Sequence, residues 1–251
     1  MYIVFLTALG VGLATIIGAL IGFTLKKESH KFNDLVLSFA AGVMLCAAVF
    51  GLIMPSLEQD SGSSVIVTII GIFSGALMLN AFDRLVPHLH RLSGTDSESH
   101  PETNSSINKV LLFVFAIAIH NLPEGIAAGV GFGTGNIADA LTIAGGIALQ
   151  NIPEGMVIIA PMLAVGMSKR RTLAIASFTG LVEIIGTFIG YFAVSVSEAL
   201  LPFALSFAGG TMLYVISDEM IPETHAHGSE RGATYTLLAG FCLMLVLDYF
   251  L

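Results

Sequence analysis

The motif His120-Asn121-Leu122-Pro123-Glu124-Gly125 occurs a second time as Gln150-Asn151-Ile152-Pro153-Glu154-Gly155. Each copy lies in the middle of a long apolar stretch. In each copy the first polar residue and the Glu are i and i+4, about 40° apart around a helix, and the Asn is i+3 from the same Glu. Each copy therefore presents three candidate ligands on one helix face. The Pro removes a backbone N–H and kinks the helix. The pair predicts two kinked helices with a ligand cage between them.

Composition assigns the chain to a broad class. The sequence has 251 residues, of which 55% are hydrophobic and only 11% charged. The charged fraction is less than half the value of roughly 25% that is typical of soluble proteins. The two cysteines, Cys46 and Cys242, lie alone in apolar stretches, which excludes a disulfide framework and a CxxC motif. The composition predicts an all-α, polytopic membrane protein.

Eight apolar stretches are each long enough to cross about 30 Å of hydrocarbon. We expect them to form a single transmembrane transporter domain over residues 1–251. The polar, Ser-rich segment 84–108 has the low hydrophobicity of a flexible cytoplasmic loop within that domain. The predicted spans are 2–25, 34–56, 64–83, 109–133, 138–165, 172–196, 200–220 and 232–251.

The distribution of basic residues predicts the orientation. All ten Lys and Arg residues fall in the segments after spans one, three, five and seven, counting Lys109 at the border between the loop after span three and span four. Cytoplasmic loops carry an excess of Lys and Arg, so these segments are predicted to be inside. We therefore expect a multi-pass protein of the cell membrane (the inner or plasma membrane) with its N- and C-termini outside.

The chain also resembles itself at a shift of 168 positions. Residues Gly12–Gly18 overlay Gly180–Gly186, and Phe39–Leu45 overlay Phe207–Leu213; span three matches span eight more weakly at the same shift. Five spans separate the copies, so the two repeats have opposite orientations. This pattern predicts an inverted repeat of spans 1–3 and 6–8 around spans 4 and 5, an architecture found in many secondary transporters.

Three carboxylates lie near the middle of predicted spans: Glu124, Glu154 and Glu183. A charge at the bilayer centre costs roughly 2.5–3.5 kcal/mol on insertion scales, and no Lys or Arg lies in the interior of any span to offset it. These groups must be protonated, hydrated in a cavity or neutralised by bound cations. His120, the only one of the seven histidines inside a span, lies one turn from Glu124. Metal ligation is therefore the favoured interpretation.

The mixture of ligands indicates which metals fit. One imidazole, three carboxylates and the amide oxygens of Asn121, Gln150 and Asn151 suit zinc, iron(II), manganese or cadmium. Six or seven ligands are too many for one tetrahedral ion, whereas two adjacent metals bridged by Glu124 and Glu154 would use them all. At the inner end of span seven, Glu223, His225 and His227 form a candidate exit site.

Four features together carry a family resemblance: HNLPEG in span four, QNIPEG in span five, Glu183 in span six and FAGGTMLYVISDEMIPE at Phe207–Glu223. With these, the chain resembles the ZIP (Zrt-/Irt-like) divalent metal transporters, in their GufA-like bacterial branch. The resemblance implies eight helices in a three-two-three arrangement and import of divalent transition metals, zinc first, into the cytoplasm. It also implies elevator-like alternating access, in which spans one, four, five and six slide against two, three, seven and eight.

The resemblance further implies a binuclear metal centre at the midplane. The first site would comprise His120, Glu124, Gln150 and Glu154, and the second Asn121, Glu124, Asn151, Glu154 and Glu183. Gln150 stands where many zinc-selective relatives have His, and Asn151 where some have Asp. The second site is therefore less acidic, and the preference among zinc, iron, manganese and cadmium stays open.

Two other classes of function compete with a transporter. A glutamate-lined proton or cation channel would use the carboxylates alone. An intramembrane metallohydrolase would need a zinc motif such as HExxH, which does not occur in the sequence. We expect a protein that is not an enzyme and has no cofactor, since the metal is cargo. Its partners would be divalent metal ions and the lipid bilayer, without nucleic acid; a homodimer is an open alternative.

Overall fold

The computed structural model describes residues 1–24, 30–58, 64–85, 121–164 and 167–250, and every regular element in these residues is a helix. The all-helical fold is therefore confirmed for this part of the chain. The α-helices are α1 (Tyr2–Gly22), α2 (His30–Cys46), α3 (Met54–Glu58), α4 (Ser64–Leu85), α5 (121–130), α6 (Ile137–Val157), α7 (Ile159–Ala164), α8 (Lys169–Val196), α9 (Leu201–Val215), α10 (Ile221–Thr224) and α11 (Glu230–Phe250).

Two long helices contain a π-helical segment. Ala47–Ile53 joins α2 to α3, and Ile216–Met220 joins α9 to α10. Short 3₁₀ turns at Gly131–Thr134 and Glu198–Leu200 follow α5 and α8. Shifting the second π segment back by 168 positions places it inside the first. π-helical turns are rare and often lie at functional sites.

Five helical segments are long and apolar enough to cross a membrane: Tyr2–Gly22, Lys31–Glu58, Lys169–Val196, Leu201–Thr224 and Glu230–Phe250. A sixth apolar helix, Val65–Ala81, is shorter. Of the predicted fourth span, only the part from Asn121 onward lies in the described residues. Residues 86–108 of the predicted loop lie outside them. The chain is thus a multi-pass membrane protein, and the count of eight spans remains a prediction.

Polarity is distributed in the reverse of a soluble protein. Large apolar side chains are exposed along the outer faces of α1, α4 and α8, among them Leu13, Phe73 and Phe192. Polar side chains such as Thr179 and Ser206 are completely buried. An apolar exterior is what a helix needs in contact with lipid, whose interior cannot satisfy polar groups.

Helices α1, α5, α6 and α8, which we call the first bundle, pack through glycines. A Cβ atom at Gly12 would collide with the carbonyl oxygen of Gly180, and one at Gly180 with that of Gly12. A Cβ at Gly155 would likewise meet the carbonyl oxygen of Thr15, and one at Gly125 that of Glu183. Small residues allow such close approach of helix backbones in membrane proteins. The α1–α6 and α5–α8 contacts correspond residue by residue.

Helices α2, α4, α9 and α11 form the second bundle, which has the same kind of contact. A Cβ at Gly42 of α2 would meet the carbonyl oxygen of Leu237 of α11, and one at Gly210 of α9 would meet that of Ile72 of α4. Gly42 and Gly210 are again 168 positions apart. Their partners Ile72 and Leu237 are not 168 positions apart. Helices α4 and α11 therefore correspond at a shift that is three residues smaller. This difference explains why the sequence match of spans three and eight is weak.

The two bundles meet through apolar side chains. Ile143 of α6 lies against Gly51, and the side chain of Met244 of α11 lies against Gly146 of α6. Side chains of both bundles form one buried apolar core, which includes Met44, Leu52, Ile143, Ile147, Leu205 and Met212. Each bundle also has side-chain hydrogen bonds of its own: Thr15 and Asn151 bond Glu183 in the first, and Asn80 bonds Tyr214 in the second.

Candidate metal site

The polar side chains at the centre of the first bundle are excluded from solvent. Asn121, Gln150, Asn151 and Glu183 are at most 1% exposed, and Glu124 is 2% exposed. These five predicted ligands are brought together from α5, α6 and α8. Glu154, also predicted, is partly exposed. His120, the predicted imidazole ligand, lies outside the described residues.

The helix that carries the second motif contains its proline, and the kink at this position stays a prediction. Helix α6 continues through Pro153 and ends at Val157. Because Pro153 has no N–H, the carbonyl oxygen of Leu149, one turn earlier, loses its helical donor. The neighbouring Gln150 and Asn151 are buried inside the bundle, where a freed backbone carbonyl is tolerated in membrane proteins.

Glu183 is the acceptor for three side-chain donors. Its Oε1 accepts hydrogen bonds from Oγ1 of Thr15, at 2.7 Å, and from Nδ2 of Asn121. Its Oε2 accepts a hydrogen bond from Nδ2 of Asn151 at 2.7 Å. Nδ2 of Asn151 also lies 3.3 Å from the carbonyl oxygen of Val11. Both Asn side chains thus turn their NH₂ groups toward this carboxylate.

Glu124 has a different environment. Its Oε1 accepts a hydrogen bond from Nε2 of Gln150 at 2.7 Å, while its Oε2 is buried without a partner. The carboxylates of Glu154 and Glu183 are close enough to repel a negative charge on Glu124. Together these groups form a buried, acidic centre with one free carboxylate oxygen.

Four buried oxygen atoms in this centre have no hydrogen-bond partner. They are Oδ1 of Asn121, Oε2 of Glu124, Oε1 of Gln150 and Oδ1 of Asn151. A buried acceptor without a donor costs on the order of 1–3 kcal/mol, and such groups are rare in native proteins. Within the described part of the chain no side chain donates to these four oxygens, whereas a cation would satisfy them. The residues present therefore fit a divalent ion that accepts oxygen ligands.

Carboxylates and imidazoles alone do not complete a site in this part of the chain. In residues 1–24, 30–58, 64–85, 121–164 and 167–250, no three His, Cys, Asp or Glu side chains form a group that could hold a metal ion. An ion bound by the described residues would depend on the carboxamide oxygens. The predicted binuclear arrangement stays a prediction.

Helix α1 contributes to the centre, although no predicted ligand lies on it. Thr15 is completely buried and donates to Glu183, and the carbonyl oxygen of Val11 accepts from Asn151. The self-comparison contained the signal for Thr15, because the 168-position shift pairs Thr15 with Glu183. A threonine in an apolar helix gives no other sign of this role.

The predicted exit residues are not drawn together. Both ring nitrogens of His225 have partners: Nδ1 lies 2.8 Å from the carbonyl oxygen of Ile221 in its own turn, and Nε2 lies 3.3 Å from Oγ1 of Thr234 in α11. The ring of His227 instead contacts Asp34 of α2, with 3.0 Å between Nδ1 and Oδ1. Glu223 is partly exposed.

A multi-pass helical protein with carboxylates and carboxamides buried between its spans belongs to the class of proteins that move ions across membranes. Comparison with known proteins agrees with this class. A sequence model of the family described as ZIP Zinc transporter matches residues 87–248. The chain belongs to the ZIP zinc transporter family, which confirms the resemblance. This family consists of transporters and supports neither a channel nor a metallohydrolase.

Similar proteins come from several bacteria. The chain is 40% identical over 243 residues to zinc transporter GufA of Myxococcus xanthus, covering 94% of both chains. It is 38% identical over 247 residues to zinc transporter ZIPB of Bordetella bronchiseptica, covering 94% of this chain and 77% of the relative. It is 32% identical to zinc transporter ZupT of Chlorobaculum parvum, covering 94% of this chain and 92% of the relative.

Proposed function

We propose that this protein imports divalent transition-metal ions, zinc first, into the cytoplasm by alternating access. The names of the three relatives above as zinc transporters support zinc as the main cargo. Iron, manganese and cadmium remain candidate cargoes, because oxygen ligands with one imidazole suit all of them.

One observation carries the proposal: four oxygens from Asn121, Glu124, Gln150 and Asn151 are buried at the centre without donors. A merely structural polar network would satisfy its members with one another. Here each carboxamide uses its NH₂ group, and its oxygen is left for another partner. A cation bound by these oxygens would offset both the lost hydrogen bonds and the charge of Glu124.

We assign the cargo to two adjacent positions. The first uses His120, Glu124, Gln150 and Glu154, and the second uses Asn121, Glu124, Asn151, Glu154 and Glu183. In the structure Glu183 accepts hydrogen bonds from three donors. A metal at the second position would have to displace the NH₂ groups of Asn121 and Asn151, while the hydroxyl of Thr15 keeps the carboxylate in place. The first position lacks that competition, and we expect it to bind more tightly.

Eight spans with an inverted repeat complete the proposal. Its support is the correspondence of contacts: Gly155 lies on Thr15 as Gly125 lies on Glu183, and the π segments match at the same shift. In this arrangement the first bundle carries the metal and slides against the second. The basic residues then face the cytoplasm and both termini lie outside the cell membrane. A homodimer is compatible with this arrangement.

Uptake of radioactive zinc by vesicles reconstituted with the purified protein tests the proposal. We expect radioactive zinc to accumulate in the vesicles. Unlabelled iron(II), manganese and cadmium should inhibit this accumulation in the order of their affinities for the protein. Glu124→Ala should abolish it, because it removes the free carboxylate oxygen. Glu230→Gln, which removes an exposed carboxylate at the start of α11, is the matched control. Unchanged accumulation in the Glu124→Ala protein would contradict the site assignment.

A further inference from the structure

Buried polar atoms without a partner occur in two places in the described residues. Four of them belong to the central site. The other three lie near the start of α2: Oδ1 of Asn33, Oδ2 of Asp34 and Oγ of Ser38. A native protein keeps few such atoms, and each needs a physical explanation.

Asp34 is a buried carboxylate with an imidazole beside it. The side chain of Asp34 is 4% exposed and that of His227 is 26% exposed, and Nδ1 of His227 lies 3.0 Å from Oδ1 of Asp34. The second oxygen of Asp34 has no partner. A buried carboxylate with an unsatisfied oxygen is costly unless a cation or further donors compensate for it.

Ser38 adds a third oxygen at this position. It follows Asp34 by four residues, so the two side chains lie about 40° apart on one face of α2. Ser38 is completely buried, and its hydroxyl does not make the bond to its own helix that buried serines commonly make. The hydroxyl is therefore free to act as a ligand next to Asp34.

The distance between Asp34 and His227 also fits a shared metal ion. Zinc binds imidazole nitrogen at about 2.0–2.1 Å and carboxylate oxygen at about 2.0–2.2 Å. Two such ligands at 90–110° would lie roughly 3.0–3.5 Å apart by these lengths. The observed separation of 3.0 Å would thus change little if a metal replaced the proton between the two atoms.

We propose that Asp34, Ser38 and His227 form a second divalent-metal site, separate from the central one, at the inner end of the second bundle. Its ligands are one carboxylate, one imidazole and one hydroxyl, with water completing the coordination through the exposed part of His227. This set suits zinc and similar borderline ions. Its existence does not depend on the proposed function, but its role does: it would receive cargo on the cytoplasmic side.

The site differs from the exit site predicted from sequence. Only His227 is common to both. His225 has both ring nitrogens engaged, Nδ1 by Ile221 and Thr224 and Nε2 by Thr234 of α11, so it is not placed to share a metal with His227. Asp34 and Ser38 come from α2, almost two hundred positions earlier, with 193 positions separating Asp34 from His227.

Binding of Co²⁺ alone to the purified full-length protein tests the proposal. The background is Glu124→Gln with Glu154→Gln, which weakens the central site. We expect a remaining site, visible by Co²⁺ absorption, whose affinity falls at least about tenfold on Asp34→Asn or His227→Gln. Ser38→Ala should weaken it less, and His225→Gln, the matched control, should leave it unchanged.

Two results would overturn the site. The first is the absence of Co²⁺ binding in the background protein. The second is residual Co²⁺ binding that neither Asp34→Asn nor His227→Gln reduces. Either result would mean that Asp34 and His227 form only a hydrogen bond. If Asp34→Asn does not fold by size-exclusion chromatography, His227→Gln and Ser38→Ala carry the test. Zinc uptake by the wild-type protein, measured in parallel, reports on the proposed function separately, since uptake can fail while this binding persists.

Discussion

Oγ1 of Thr15 donates a hydrogen bond of 2.7 Å to Oε1 of Glu183, and the two residues are related by the 168-position shift of the internal repeat. Their helices, α1 and α8, cross at Gly12 and Gly180, which are related by the same shift. One copy of the repeat supplies the carboxylate and the other supplies its donor. Helix α1 therefore contributes to the buried polar centre that we propose as the metal site.

Replacement of Thr15 by Val should weaken metal binding. The change keeps the shape and removes a hydrogen bond to a carboxylate, which contributes about 1.5–3 kcal/mol. We expect the KM for zinc uptake to rise about tenfold or more, and Thr15→Ser to restore it. Thr179→Val is the control, because that buried hydroxyl bonds only the carbonyl oxygen of Ala176 in its own helix. Equal KM values for Thr15→Val and the wild type would contradict the role of Thr15.

Replacement of Asn151 by Asp should make the protein depend more on metal. The new carboxylate would face Oε2 of Glu183, where Nδ2 of Asn151 now donates. Without metal the two negative groups repel each other, and Tm should fall. With zinc the added ligand should increase the Tm rise, since a ligand stabilises the folded state according to its affinity. Thermal unfolding with and without zinc measures both effects.

Asn136→Asp is a matched control for that substitution. Asn136 caps the same helix, and its Oδ1 accepts from the backbone N–H of Ala138 at 3.0 Å. Asp is an equally good N-cap, so this exposed change should leave the zinc-induced shift unaltered. A shift of the same size in both variants would show that added charge, and not added coordination, is responsible.

Gly155→Ala should separate α1 from α6. The added Cβ would collide with the carbonyl oxygen of Thr15. Overpacking of this kind costs about 1–3 kcal/mol, and it would also displace the Thr15 hydroxyl from Glu183. We expect a lower Tm and little uptake. Gly145→Ala in the same helix, where nothing lies within 4 Å, should behave like the wild type.

His120→Ala distinguishes a metal transporter from a pathway built on glutamates alone. We expect zinc uptake to be lost, because the first metal position loses its only nitrogen ligand. Proton flux into the same vesicles, followed with a pH-sensitive dye, should not replace it. Persistent ion flux in the absence of zinc uptake would favour a glutamate-lined channel.

The sequence predicted the helical class, and the structure brings five of the seven predicted ligands together, for identifiable reasons. Carboxylates in apolar helices have few explanations other than a bound ion. The repeated motif indicated that α5 and α6 carry the candidate ligands. Thr15 was missed because a threonine is common in membrane helices and its partner is far along the chain. Asp34 was missed because it lies at the end of a span, where charges are normally solvated. The exit prediction joined His225 to His227 by sequence proximity, whereas the fold turns their rings to different helices.

The apolar contact between the two bundles has a consequence for the leakage of ions across the membrane. Where Ile143 meets Gly51 and Met244 meets Gly146, the atoms in contact belong to apolar side chains, which give water no hydrogen-bond partner. Protons and small ions travel along hydrated or hydrogen-bonded routes, so this seam acts as an electrical insulator. A cell could keep many copies of the protein in its membrane without dissipating the membrane potential through ion leakage.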